Sequence, residues 1–595
     1  MMLEEHEVRE ATTLLNSGLP RSDGDPACDI STDRTAPLAE FTVGEAVDAT
    51  GFGPYQQWLT LYVGCAWMSD ALEMMLLSFL GPAVRCEWNL TAADEALVTT
   101  VVFLGMLIGA NLWGWLADVK GRRMGFLVPG LVSCAAGIAS ALAPNFETLL
   151  LCRAVVGLGL GGVPVAFNLF LEFIPSDGRG HYLVLFESFW SLGAVLEAGL
   201  AWATMQPLGW RWLVGLSAVP LLMLMLFFPL LPESPHYLVV SGRLDEAEAV
   251  LQKMARFNGV ALPPGKLVQS KGLPQKLPDS GLPTQPAQAM PNRDSSAIGM
   301  LRQMLHPSMR RTTLLLWLIF FSVACSYYGV VLLSTEIHVS DKEGSVCTPG
   351  GKAALDDRDY ADVMVTTLAE LPGLLVAAVL VERIGRIRSM AYPSIVCGMC
   401  MLLLMLGPGD LIETGLLFGS RASVMTVFTV IYIYAPEVAP TSVRGFSVGV
   451  ANGMARIGGM IAPLLAVTLV ERGGLRGAEL AFLCLSLTTA LAAMLLPIET
   501  RGRALMDRVG VQTETIEDAE EGGRGRQEVE MADVRRDSAS HAAALDSVQA
   551  CVLSAPSYAP TSPAPPRPLT ACVPSTSFPI LEVPNDGDTI TSNQV

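Results

Sequence analysis

The chain is 595 residues long, 51% hydrophobic and only 16% charged, with a mean hydropathy of +0.43. That balance excludes a soluble globular protein and implies a polytopic membrane protein. The formal net charge of −18 says little about partners, because the acids sit largely in the tails and in loops on one face.

Residues 1–50 are polar and acidic and lack the basic start and apolar core of a cleavable signal, so the first membrane segment must itself direct insertion. They are expected to be a disordered tail. Within them Glu10, Leu14 and Leu15 have the acid-x-x-x-Leu-Leu form of a dileucine signal for a sorting adaptor; the competing reading is two leucines in a disordered tail. Apolar runs follow at about 57–81, 96–117, 124–143, 148–171, 182–204 and 212–231. After an interruption they resume at 312–334, 360–381, 388–408, 412–434, 445–469 and 477–497. Each is close to the ~20 residues that cross a bilayer as a helix.

Twelve spans put both termini on one side. The short loops of that side carry the arginines, among them Arg122, Arg123, Arg383, Arg386 and Arg501, whereas the opposite loops carry Glu336, Asp341, Glu343, Asp356, Asp357 and Asp359. Basic loops are retained in the cytoplasm, so both termini are expected there. Asn89-Leu90-Thr91 is then an acceptor sequon on the outer or lumenal side, close enough to the membrane to leave its occupancy open. Cys86 and Cys347 fall on the same side, where an oxidising compartment permits a disulfide without requiring one. Cys397 and Cys400 lie inside an apolar run with no second pair or histidine nearby, and read as small core residues instead of a zinc site.

The two groups of six repeat one another. The elbow Asp118-Val119-Lys120-Gly121-Arg122 returns as Glu382-Arg383-Ile384-Gly385-Arg386. Glu172 opens a Glu-x-x-Pro-x-x-x-Arg-Gly pattern ending at Arg179 and Gly180, and Glu437 opens the same pattern ending at Arg444 and Gly445. Pro232-Glu233-Ser234-Pro235 is matched by Pro497-Ile498-Glu499-Thr500. The expected organisation is therefore a tail over 1–50, a six-helix bundle over 55–240, and a cytoplasmic loop over 241–311. A second bundle covers 312–503 and a disordered tail 504–595. The loop opens with a helix at 243–257 and continues as a Pro-, Gln- and Ser-rich linker over 262–296; the last tail has too few apolar residues to fold alone.

Twelve spans in two parallel repeats with a long central loop resemble the major facilitator superfamily, an all-α membrane fold whose binding site lies near the midplane between the halves. Gly114, Asp118, Gly121, Arg122 and Arg123 match that superfamily's signature, and Pro-Glu-Ser-Pro at 232–235 resembles its sugar and organic-ion branch. Val163-Pro164, Phe189-Trp190, Leu208 to Trp212, Tyr327-Tyr328-Gly329, Thr366 to Glu370 and Gly453 to Arg456 look like synaptic vesicle glycoprotein 2-related proteins and bacterial nicotinate transporters. The resemblance covers about 55–505. Two departures matter: His236-Tyr237 stands where the branch has Arg-Trp, leaving one ion pair missing or pH-sensitive, and the seventh span lacks the Gln-Gln pair of sugar porters, so hexoses fit poorly.

Asp118, Arg122, Glu172, Arg179 and Glu233, with their second-half mates Glu382, Arg386, Glu437, Arg444 and Glu499, are read as gating latches that close the inner face; the plainer reading is that they set topology and pack helix ends. Glu187, nearer the cytoplasmic end of its span, is grouped with them. Ionisable groups inside the spans cost about 2.5 kcal/mol or more unless they meet a cavity or partner. Asp70 and Glu73, three apart on one helix face, are candidates for carrying a proton, against a structural role. Glu197 and Glu370 are further midplane carboxylates, and Arg153 and Arg421 occupy matching places that suggest structure or gating.

Arg456, four residues after Asn452, offers a planar fork for a carboxylate. Its setting resembles that of the arginine of organic-anion transporters, which implies an anionic or zwitterionic substrate; the other reading is neutralisation by a buried glutamate. Tyr327, Tyr328, Tyr432, Tyr434, Phe189 and Trp190 are candidates for an aromatic pocket wall. The prediction is a secondary active transporter of a small organic ion, an organic anion such as an aromatic monocarboxylate, coupled to protons. No nucleotide loop, metal cluster or catalytic triad is present in the sequence, so no enzyme, cofactor, metal or nucleic-acid partner is expected. A vesicle-membrane receptor or trafficking protein that keeps the fold without turnover is the competing reading, and the repeated latches argue against a channel.

Overall fold

The computed structural model describes residues 40–176, 179–268, 297–340, 347, 355–407, 409–440 and 443–501. The sorting motif at Glu10, Leu14 and Leu15, the tail over 504–595 and most of the 262–296 linker lie outside these residues. Among the described residues eleven helices are long and apolar enough to cross a membrane, and Trp210–Leu226 is a shorter twelfth.

The first six spans are Pro54–Trp88, Ala92–Lys120, Arg122–Ala141, Phe146–Leu171, Tyr182–Thr204 and Trp210–Leu226. The second six are Pro307–Ile337, Asp357–Ile384, Arg386–Leu404, Asp410–Val438, Arg444–Glu471 and Leu475–Met494. The first span is buried nearly all round, from Met74 to Leu80, whereas the second exposes Leu97, Leu104, Ile108, Leu112 and Trp115 along one side. An exposed apolar stripe of that kind is a lipid-facing surface, and an all-round buried helix lies inside a bundle. The second and fourth spans touch backbone to backbone, since a Cβ at Gly105 or Gly157 would fall on main-chain atoms of the opposite helix.

Three spans are interrupted, each next to a proline. The fourth breaks at Gly161 and Gly162 before Pro164, the sixth at Ala218 before Pro220, and the eighth at Ala369 before Pro372. Proline removes the helical N–H and crowds the carbonyl four residues earlier. In the eleventh, a five-residue π-helical turn, Leu464–Thr468, follows Pro463.

Two expectations are corrected. Residues 40–50, assigned to a disordered tail, are folded: Glu40–Phe41 pairs in parallel with Lys266–Leu267, and Val43–Thr50 is a helix. Thr42 accepts the Glu45 N–H and the Glu45 carboxylate accepts the Thr42 N–H, a capping box in which Thr42 and Glu45 are three apart. This helix packs on Leu244–Asn258 through Ala46, Val47, Leu251 and Met254, so the loop and the tail form one small layer beneath the first bundle. Glu336 belongs to the seventh helix, Pro307–Ser340, and not to a loop.

Candidate functional site

The face that carries the arginine elbows, the basic face, shows the repeat at atomic detail. Gly121 has φ +100° and Gly385 φ +85°, conformations that favour glycine, and each precedes the first residue of a helix. Glu233 accepts the N–H groups of Arg122 (2.8 Å) and Arg123 (3.3 Å), and Glu499 accepts those of Arg386 (2.8 Å) and Ile387 (3.0 Å). A carboxylate there satisfies the orphan donors of a helix start and the positive end of its dipole. Arg122 pairs with Asp118 (2.6 Å) and Glu172 (3.4 Å); Arg386 grips both oxygens of Glu437 (3.0 and 2.9 Å). Each of these bonds stays within one half. Glu382 is exposed, Arg444 donates to the Ala439 carbonyl (3.3 Å), and the Arg179 side chain lies outside the described residues. His236 is exposed beside Arg122 and Glu172.

Contacts between the halves gather toward the opposite, far face. The second span packs along the eleventh and the fifth along the eighth. Thr100 donates to the Met460 carbonyl (3.1 Å), and Phe103 lies where a Cβ on Gly459 would go. Phe79 stacks on Tyr360, Arg85 pairs with Glu471 (2.9 Å), and Cys86 is bonded to Cys347. Toward the basic face, by contrast, a Cβ on Gly114, Gly445 or Gly449 would meet nothing within 4 Å. The halves are therefore closed on the far face and splayed on the basic face.

Between them, at mid-depth, Asp70 of the first span faces Arg456 of the eleventh. Both Asp70 carboxylate oxygens are buried without a hydrogen-bond partner. Arg456 lies beside Tyr328 and has Asp70 and Tyr432 as its other polar neighbours. Tyr432 donates to the Asn452 side-chain oxygen (2.6 Å). Arg456, Asn452 and Tyr432 are each only partly buried. Trp67, Phe428 and Trp190 add aromatic surface: Trp67 lies 5.6 Å from Trp190, and Phe428 5.2 Å from both Tyr327 and Tyr432. The arrangement presents one cation, one unbonded carboxyl and a run of hydroxyls and rings to whatever enters from the basic face.

The other intramembrane charges singled out from the sequence are engaged. Glu73 pairs with Arg153 at 2.8 Å, both nearly inaccessible, so the two neighbouring acids of the first span serve different partners. Glu197 receives the Ser217 hydroxyl at 2.8 and 2.9 Å. Glu370 accepts two bonds from Arg421 (3.1 and 3.0 Å) and one from the Tyr327 hydroxyl (2.9 Å), which in turn accepts the Trp190 indole N–H (2.7 Å). Glu370, Tyr327 and Trp190 thus form a clasp between the halves. Glu187 accepts the Trp67 indole N–H (3.4 Å) and lies near Tyr432, so it borders the central space and is not part of the elbows. Tyr434 is buried with its hydroxyl on the Ile498 carbonyl (2.8 Å), away from the central group. Trp67 and Phe428 were not singled out from sequence, because an aromatic in an apolar run carries no signal of which way it points.

Asn89 is exposed and caps the first span in the left-handed region (φ 52°), which asparagine tolerates. Its sequon partner Thr91 donates to Asp94 (2.7 Å) as the cap of the next helix. No group of three or more His, Cys, Asp or Glu among the described residues is placed to hold a metal.

Comparison with known proteins places these features in context. The sequence matches the Sugar (and other) transporter family over residues 66–282 and the Major Facilitator Superfamily over 360–517. It is 44% identical to the Organic cation/carnitine transporter 7 of Arabidopsis thaliana over 80% of this chain and 97% of the relative. It is 40% identical to the Synaptic vesicle 2-related protein of Bos taurus over 78% of this chain and 82% of the relative. The fold resembles the xylose transporter XylE from E. coli in a partially occluded inward open conformation, with a TM-score of 0.59 and 15% identity, covering 76% of this chain and all of the other.

Proposed function

The chain belongs to the major facilitator superfamily of membrane transporters, and on that premise we propose that it carries a small organic monocarboxylate together with a proton, by alternating access. The observation that carries this reading is Asp70, buried and unbonded, opposite Arg456. A guanidinium binds a carboxylate through two parallel hydrogen bonds. An ionised Asp70 competes for that charge, and a proton on Asp70 releases it. Proton and monocarboxylate then bind together, and the loaded site carries no more charge than the empty one. Tyr328, Tyr432 and Asn452 orient the bound carboxylate, and Trp67, Trp190 and Phe428 give its apolar part a wall.

In this reading the basic face is cytoplasmic and the far face outer, by the retention of basic loops, and the splayed structure is the inward-facing state. Closing the basic face brings the elbows of the two halves together, where Asp118, Arg122, Glu382 and Arg386 act as the inner gate. The membrane is that of a vesicle, an endosome or the cell surface.

The test is uptake into proteoliposomes with and without an inward proton gradient, using nicotinate, other organic anions, organic cations and carnitine. Arg456→Ala should abolish monocarboxylate uptake. Asp70→Asn should leave uptake that no longer responds to the gradient. Saturable binding with no uptake of any compound would instead favour a receptor that keeps the fold.

A further inference from the structure

The far-face closure brings two buried carboxyls from the two halves together. Glu95, one turn into the second span, and Glu336, near the end of the seventh, face each other. They are 3% and 5% exposed. An ionised carboxylate only accepts hydrogen bonds, so two of them bond to each other only when one carries a proton. The contact crosses from one half of the molecule to the other.

Among the described residues the charged groups facing this pair are Arg85 of the first span and Glu471 of the eleventh. Arg85 lies 3.4 Å from Glu95 and 2.9 Å from Glu471, so this cation ties carboxyls of both halves together. The neighbouring acids are committed elsewhere: Asp94 to Thr91, and Glu87 to Trp210 (2.6 Å) and Arg211 (2.8 Å). Gly81 makes room for the pair, since a Cβ there would sit 2.7 Å from Glu95 Oε1. Ala92 packs with Val330, Leu333 and Ile337 beside it and keeps water away.

We propose that Glu95 and Glu336 share one proton that holds the outer face shut, so that acidity in the outer compartment favours the inward-facing state. When the face opens, the two carboxyls separate into water and the proton returns to the outer compartment; when it closes, one proton is taken up from the same side. The closed state binds the extra proton, so falling pH shifts the population toward it. This device is distinct from the Asp70 and Arg456 site, although it rests on the reading that the halves rock between two states.

Hydrogen exchange of the full-length protein in lipid nanodiscs tests it, with the Cys86–Cys347 bridge reduced so that it does not itself hold the face. Exchange over residues 85–97 and 330–337 is compared between about pH 5 and 8 after correction for the intrinsic pH dependence of amide exchange. Wild type should be more protected at acid pH, by up to about tenfold per pH unit, the limit for one linked proton. In Glu95→Gln and in Glu336→Gln the amide donates to the remaining carboxylate without a proton, so protection should stay high and lose its pH dependence. Unchanged exchange over 244–258 verifies that each variant is folded. A wild type without pH dependence, or full pH dependence in both variants, overturns the proposal. Because the readout is conformational, pH-dependent protection without uptake of any compound would sink the transporter reading alone, and uptake without pH-dependent protection would sink this latch alone.

Discussion

Gly121 and Gly385 stand at equivalent turns with φ of +100° and +85°, and at both a Cβ would also press into the carboxylate of Glu233 or Glu499. Gly121→Ala or Gly385→Ala should each cost roughly 1–3 kcal/mol from the backbone alone. The repeat predicts similar losses of thermal stability at the two sites, and a loss at only one would show that the elbows are not equivalent in strength. Glu73 gives a second prediction at this scale. Removing its partner in Arg153→Met leaves a buried carboxylate unpaired and should destabilise by about 3–5 kcal/mol, much of it recovered in the double variant with Glu73→Gln. Sequence placed Asp70 and Glu73 correctly on one helix, but spacing along a helix says nothing about what arrives from the neighbours. Arg153 comes from 80 positions away and claims one of the two.

At the scale of elements, the interrupted spans follow from local chemistry: Pro164, Pro220 and Pro372 each accompany a break, and each was visible in the sequence as a proline inside an apolar run. The pairing of spans was not visible, since apolar periodicity marks a buried side without naming what buries it. The fifth, seventh, eighth and tenth spans are tied by Trp190, Tyr327, Glu370 and Arg421. Trp190→Phe removes the donor to Tyr327 while keeping an aromatic ring, and a net cost of roughly 0.5–1.5 kcal/mol is expected. Because that bond crosses the halves, the cost should fall on the state closed at the far face, and exchange at the far-face ends of the spans should rise. Equal exchange in variant and wild type would mean that the clasp carries no bias between states.

For the whole molecule, the far face is held by an apolar seal, the shared carboxyl pair, the Arg85–Glu471 ion pair and the Cys86–Cys347 bridge, which joins residues 261 positions apart. A covalent tie between the halves restricts their separation, so the oxidised protein should exchange more slowly over 85–97 than the reduced protein at the same pH. Peptide mapping without reductant should recover the two cysteines as one linked species. Finding both as free thiols in protein purified under non-reducing conditions would remove the bridge from this account. The basic face has no such covalent tie among the described residues, and the ion pairs of Arg122 and Arg386 there lie within halves, which leaves it free to open and close.

Sequence alone determined the membrane class, the twelve spans, the two-fold repeat and the charged elbows, because these depend on local hydropathy, span length and motifs written twice in one chain. It also brought Asp70 and Arg456 forward, since an ionised group inside an apolar run is costly enough to stand out. Only the tertiary structure decided that these two face each other, that Glu73 and Glu370 are claimed by arginines, that Glu187 borders the central space, and that Glu95 meets Glu336. The physical reason is the same in each case: a partner distant in the chain is chosen by how helices pack, and packing depends on the shapes of whole faces, not on any short stretch of residues.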